Sequence, residues 1–139
     1  MSDFITKNSV GNAVVIFGDT NSRYKRSGDV GLHSLVSQNG LSDAWLQRAH
    51  GGVVPTAGAP DIVCNDPIPL NTSCETVDKM FYRGSKVLTL TANDVFYDTT
   101  RFLQANGSLV TDHNPIRVEF SWSLSSTLRT SDLYGGPHG

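Results

Sequence analysis

Thr111-Asp112-His113-Asn114-Pro115-Ile116-Arg117-Val118-Glu119-Phe120-Ser121-Trp122 joins a charged turn to a strand, and the rest of the chain is read outward from it. Ile116, Val118, Phe120 and Trp122 alternate with Arg117, Glu119 and Ser121. That period of two turns one face of a β-strand toward a core and the other toward water. Just before the strand a carboxylate and an imidazole stand side by side. Neighbouring side chains on an extended segment diverge, so Asp112 and His113 can serve two different groups.

A second strand lies near the start. Ala13-Val14-Val15-Ile16-Phe17 is a continuous apolar, largely β-branched run ending at Gly18-Asp19, the pattern of an inner strand covered on both faces. Residues 18–30 are polar, with Arg23, Lys25 and Arg26 close together, and read as a loop leaving the strand's carboxyl end. Asp29 is placed to cap a helix over 30–39, whose Leu32, Leu35 and Val36 share one face and which Asn39-Gly40 ends in a left-handed turn. Residues 3–9 read as the last turn of a helix, and Leu41 to Arg48 as a further helical turn. Thr76 to Tyr82 and Lys86 to Thr91 alternate as strands, with Arg83-Gly84-Ser85 as a hairpin-like turn between them.

The composition narrows the class. A chain of 139 residues, 38% hydrophobic and 17% charged, makes one domain at most. With 11 Lys+Arg against 13 Asp+Glu it lacks the basic face of a dedicated nucleic-acid binder. No apolar run approaches the ~20 residues of a membrane helix, and Met1 to Lys7 lacks the basic, then apolar, start of a secretory signal. Cys64 and Cys74 are nonetheless spaced for a small disulfide loop, which an oxidising compartment would preserve. Asn71-Thr72-Ser73 and Asn106-Gly107-Ser108 fit the N-glycosylation pattern. Together these features lean toward an extracellular protein. Ala49 to Cys74 holds most of the prolines and little periodicity, as in a segment that is functional or pinned. Residues 125–139 offer no apolar face and read as a flexible tail or linker after a domain over 1–124.

Three segments carry chemistry: Gly18-Asp19-Thr20-Asn21, Val77-Asp78-Lys79-Met80-Phe81-Tyr82, and Thr111-Asp112-His113-Asn114-Pro115-Ile116. A phosphoester hydrolase needs oxygen ligands for a hard divalent cation, a group that orients water, and donors to the phosphoryl oxygens. Asp19, Asp112, Asn21 and His113 cover those needs. A carboxylate bonded to His113 would fix its tautomer and raise its pKa, and Asp78 is available for that. Asp and Asn also favour turns at strand ends, and Arg23, Lys25 and Arg26 can equally be a solvated loop. Tyr24, Trp45 and Trp122 read as core or rim packing. His33, His50 and His138 lack the spacing of a zinc site.

The ordered set Gly-Asp-x-Asn, Val-Asp-x-x-Phe and Thr-Asp-His-Asn-Pro-Ile resembles the C-terminal half of the endonuclease/exonuclease/phosphatase superfamily, the DNase I-like nucleases and phosphodiesterases. That resemblance implies a metal-dependent phosphoesterase of mixed α/β (α+β) class. The expected architecture is half of a four-layered DNase I-like sandwich, one mostly antiparallel sheet with flanking short helices. By position Asp19 looks like the residue that orients the attacking water and also a metal-site carboxylate. Asn21 looks like a donor to the scissile phosphate, with Arg23 and His113 beside it. Asp112 looks like a metal ligand, His113 the transition-state donor, and Asp78 its orienting partner. The implied cofactor is Mg2+, or Mn2+ or Ca2+, and the implied substrate a nucleic acid, a phospholipid or an inositol phosphate.

The pattern also departs from the family. Its metal-binding glutamate precedes the Gly-Asp-x-Asn strand, whereas Glu75 and Glu119 both follow it. The chain is therefore expected to be a fragment whose partner is the N-terminal half of the domain, with an apolar sheet face exposed. Alone it would be inactive, and a binding module without hydrolase activity is the alternative.

Overall fold

The computed structural model describes residues 1–60, 63–64 and 72–125. Its first sheet is built on β3 (Asp78–Arg83), which lies between β1 (Val14–Asp19) and the two-residue β2 (Ser42–Asp43), all antiparallel. A second sheet pairs β4 (Leu88–Tyr97) antiparallel with β5 (Ile116–Leu124). Three short α-helices, α1 (Ser2–Asn8), α2 (Val30–Asn39) and α3 (Ala44–His50), and a 3-10 turn over Thr99–Arg101 complete the described elements. The mixed α/β class follows, and the arrangement is consistent with part of a DNase I-like sandwich. The strands divide between two sheets where one was expected.

That division happens at Arg83-Gly84-Ser85, which the sequence suggested as a hairpin turn. The Ser85 N–H donates to the Leu88 carbonyl at 2.7 Å, and the Ser85 hydroxyl accepts from the N–H groups of Val87 and Leu88. This tight knot turns the chain out of the first sheet into the second. A Cβ on Gly84 would lie 2.4 Å from the Leu88 carbonyl oxygen, so the turn requires glycine. β4 also runs well past Thr91, because a bulge between Ala92 and Asp94 absorbs the polar Asn93 that breaks the alternation.

β1 is an edge strand, not an inner one. Among the described residues it pairs with β3 alone, and Phe17 is 75% exposed. The register explains which side is covered. Val15, Phe17 and Asp19 lie opposite Tyr82, Met80 and Asp78, so these six side chains share one face. Tyr82 and Met80 on that face pack against Ala92, Val95, Leu90, Val118 and Phe120 of the second sheet, with the Tyr82 and Phe120 rings 5.1 Å apart. Val15 and Phe17 extend past that cover and stay exposed. Trp122, the last residue of the β5 alternation, is exposed for the same reason: it lies near the strand's open end.

The opposite face is covered by helices. Phe81 and Ile16 meet Ile5, Leu32, Leu41, Trp45 and Leu46 there, together with Tyr24 from the β1–α2 loop. α2 begins and ends where its cap residues indicate, with Gly40 in the left-handed conformation. Asp29 holds the N-cap position, but its carboxylate turns back to accept from the Arg23 N–H at 2.8 Å and to pair with Arg26. Asp43 is the side-chain cap, accepting from the N–H groups of Trp45 and Leu46 at the start of α3.

Cys64 and Cys74 form a disulfide across a sequence separation of 10. Replacing both with serine is expected to lower stability by about 2–3 kcal/mol through the loop-closure entropy returned to the unfolded chain. A shift of the urea midpoint reads this directly, and an unchanged midpoint would refute it. Residues 126–139 of the expected tail, part of the 49–74 segment and the candidate acceptor Asn71 lie outside the described residues.

Candidate active site

The site forms where β1 ends and β3 begins. Asp19 and Asp78 are cross-strand partners on one face of the sheet, so two carboxylates project side by side. Like charges so placed call for a cation or a proton between them. His113 supplies one from the loop before β5. Its Nδ1 lies 3.0 Å and 3.2 Å from the two Asp78 oxygens, and its Nε2 lies 3.7 Å from Asp19 Oδ2. A carboxylate only accepts, so Nδ1 carries the hydrogen toward Asp78 and Nε2 is left for chemistry.

This setting raises the His113 pKa above the ordinary histidine range. The hydrogen bond to Asp78 is the main cause, followed by the Asp78 charge, with Asp19 and Asp112 adding to it against a smaller effect of burial. The imidazolium therefore persists to higher pH than that of a free histidine. Because the folded pKa is raised, the pairing's contribution to stability is fully present below the ordinary histidine pKa. It is lost as pH rises through the raised one.

Local bonds hold each member in place. The His113 N–H donates to the Thr111 hydroxyl at 2.8 Å, fixing the turn that presents the imidazole. The base of its loop is closed by the Asp98 N–H bonding to the Pro115 carbonyl and by Arg117 Nε bonding to Asp98. Asp19 Oδ1 accepts from the Asn21 N–H at 2.6 Å, and Asn21 takes a left-handed φ of 49° that asparagine tolerates. Thr20 bonds to the Val77 carbonyl through both N–H and hydroxyl, tying the β1 end to the residue before Asp78.

Asp78 and His113 also line a cavity of about 160 Å³ with Arg23, Glu75, Asp112 and Asn114. The structure thus brings together Asp19, Asp78 and His113, with Asn21 adjoining through Asp19 and with Arg23 and Asp112 on the cavity wall. Ligand-type atoms of Asp19, Asp78 and His113 all lie within 4.8 Å of one another, a possible acidic metal site. Asp78 and His113 are already committed to each other, which leaves Asp19 Oδ2 as the oxygen donor of that cluster. A hard cation held by a single carboxylate takes its remaining ligands from water and other oxygen groups.

Tyr24 and Trp45 are core residues, and His33 is structural, its Nε2 bonded to the Tyr24 carbonyl at 2.9 Å. Asn106 sits in an exposed turn, its side chain accepting from Ser108. The sequence names Glu75 only as a glutamate out of order for the family's metal ligand and does not show its pairing with Lys79, a fully buried ion pair 2.6 Å apart. The signal was there in their spacing of four with an apolar stretch beyond it, but an exposed face reads the same way.

The chain is 34% identical over 122 residues to proteins described as "Sphingomyelinase" from Mycobacterium bovis and from Mycobacterium tuberculosis (strains CDC 1551 / Oshkosh and H37Rv). The match covers 88% of this chain and 23% of each relative, so the chain spans less than a quarter of the length of these curated relatives. No family model and no solved structure matches it.

Proposed function

We propose that this chain is the C-terminal half of a metal-dependent phosphodiesterase domain of the endonuclease/exonuclease/phosphatase superfamily, cleaving a phospholipid of the sphingomyelin type. The observation that carries the reading is the convergence of Asp19, Asp78 and His113, three segments distant in sequence, on one spot of one sheet face. The similarity to sphingomyelinases over most of the chain supports the lipid phosphodiester over a nucleic acid. So does the stretch leading to Asp112 and His113, which exposes the apolar Phe102, Leu103 and Val110.

In this reading Asp19, steadied by the Asn21 N–H, orients the attacking water. His113, held through Nδ1 by Asp78, turns Nε2–H toward the phosphoryl oxygens, and Arg23 and the Asn21 amide add donors there. The bond from the water oxygen to phosphorus forms as the bond to the leaving alkoxide breaks, and the proton given up by the water is balanced by one taken up by the alkoxide, which leaves as an alcohol. Mg2+ held by Asp19 and Asp112 would supply charge stabilisation at the phosphoryl group. Glu75 is bound to Lys79 and Glu119 to Arg117, so a further metal-binding glutamate would come from the N-terminal half of the domain in the full-length protein. The Cys64–Cys74 bridge and the open turn at Asn106 support an extracellular, glycosylated protein.

The test is hydrolysis of sphingomyelin vesicles by the protein as it occurs in its source, with and without chelator. Turnover is expected to vanish on chelation and return with Mg2+. Turnover that survives chelation, or that favours DNA over the lipid, would overturn the proposal. A second expectation concerns pH. If imidazolium is the active form, activity falls as pH rises through the raised His113 pKa. Asp78→Asn removes the main cause of the raised pKa, so the alkaline limb of the pH–rate profile should move to lower pH. A limb that stays in place would exclude His113 as the titrating group.

A further inference from the structure

We infer that Glu75 is a positioning residue, a side chain that ties the C-terminal end of the Asn21–Arg23 loop, at Tyr24, to the Asp78 strand. The inference rests on the reading of the site given above. Glu75 Oε1 accepts from the Tyr24 N–H at 2.8 Å and from Lys79 Nζ at 2.6 Å. Its backbone carbonyl also accepts from the Cys64 N–H, which joins the disulfide segment to the same point.

Each of these partners leads to the site. Tyr24 is fully buried and held from three sides: N–H by Glu75, carbonyl by His33, and ring under Lys79 Nζ at 5.1 Å. The residue before it is Arg23, on the wall of the cavity shared with His113. Lys79 follows Asp78 on β3, so alternation sends Asp78 to the site face and Lys79 back toward Glu75. One carboxylate oxygen thus joins the far end of the loop with the phosphate donors to the strand that orients His113, while Thr20 joins its near end.

Energetics favour this role over simple stabilisation. A buried ion pair is weak support for a fold, since well-packed apolar residues of similar volume often replace it without loss. Reaction geometry is far less forgiving, because a displacement of ~1 Å can cost ~100-fold in rate. The specific feature Glu75 adds is an acceptor for the Tyr24 N–H.

Two double variants separate the roles. Glu75→Gln/Lys79→Met removes both charges and keeps a side-chain carbonyl for Tyr24, whereas Glu75→Leu/Lys79→Met removes the acceptor as well. In the protein as it occurs in its source, amide exchange at Tyr24 and across residues 20–29 is compared with kcat and KM on a soluble phosphodiester. The Gln/Met variant should match wild type in exchange and turnover. The Leu/Met variant should lose Tyr24 protection and drop kcat about 10-fold or more with little change in KM. Wild-type exchange over 20–29 in the Leu/Met variant, or equal losses in both, would overturn the inference. Should the Leu/Met variant not fold, Glu75→Asp withdraws the carboxylate by one methylene and should raise exchange at Tyr24, with unchanged exchange counting against the role. Exchange does not need turnover, so an inactive wild type would refute the phosphodiesterase reading and leave the positioning test intact.

Discussion

Replacing His113 with alanine is expected to lower kcat by about 1,000-fold while leaving the unfolding midpoint close to wild type. A positioned acid or base contributes about 100- to 10,000-fold. His113 falls toward the upper part of that range because it does two things at once. Its Nδ1 side binds Asp78, which favours the charged form of the ring, and its Nε2 side is free to face the reacting group. The fold does not rest on it: the side chain is 38% exposed, and it belongs to neither hydrophobic cluster. Turnover and thermal unfolding measured on the same preparation decide the point. A loss smaller than about 10-fold would show that the imidazole is not part of the reaction.

Lys79→Ala should have the opposite profile, with a loss of stability of about 3–5 kcal/mol. The ammonium is the charge partner of a carboxylate 1% exposed, and it also lies over the rings of Tyr24 and Trp45 at 5.1 and 5.0 Å. Removing it strips Glu75, a buried carboxylate, of its ion-pair partner. Against a total stability of about 5–15 kcal/mol for a typical protein, that is enough to unfold a large share of the chain. Urea denaturation measures the loss, and a change below about 1 kcal/mol would mean that water reaches Glu75.

How much of this was legible in the sequence depends on the range of the forces involved. α2 could be read because its signals are local: Leu32, Leu35 and Val36 on one face, and a glycine after the last turn. β5 could be read from its alternation as far as Phe120. The partition into two sheets could not, since Arg83-Gly84-Ser85 suits a hairpin as well as a crossing, and only the contact with Leu88 distinguishes them. β1 looked like an inner strand because hydrophobicity reports what a strand can bury, not what lies beside it. In the site, Asp19, Asp78 and His113 were found through their motifs, and the structure places them within reach of one another. The bond from Tyr24 to Glu75 could not be foreseen because the two are 51 residues apart, and no local pattern encodes such a pairing.

Asp78 lies on the three-stranded sheet, while His113 arrives with the first residues leading into a strand of the other. Secondary structure can be complete before the two sheets dock, and a chain caught at that stage holds both residues without their bond. Activity regained on refolding would then time the docking of the sheets. A far-ultraviolet signal, which follows helices and strands, would run ahead of it.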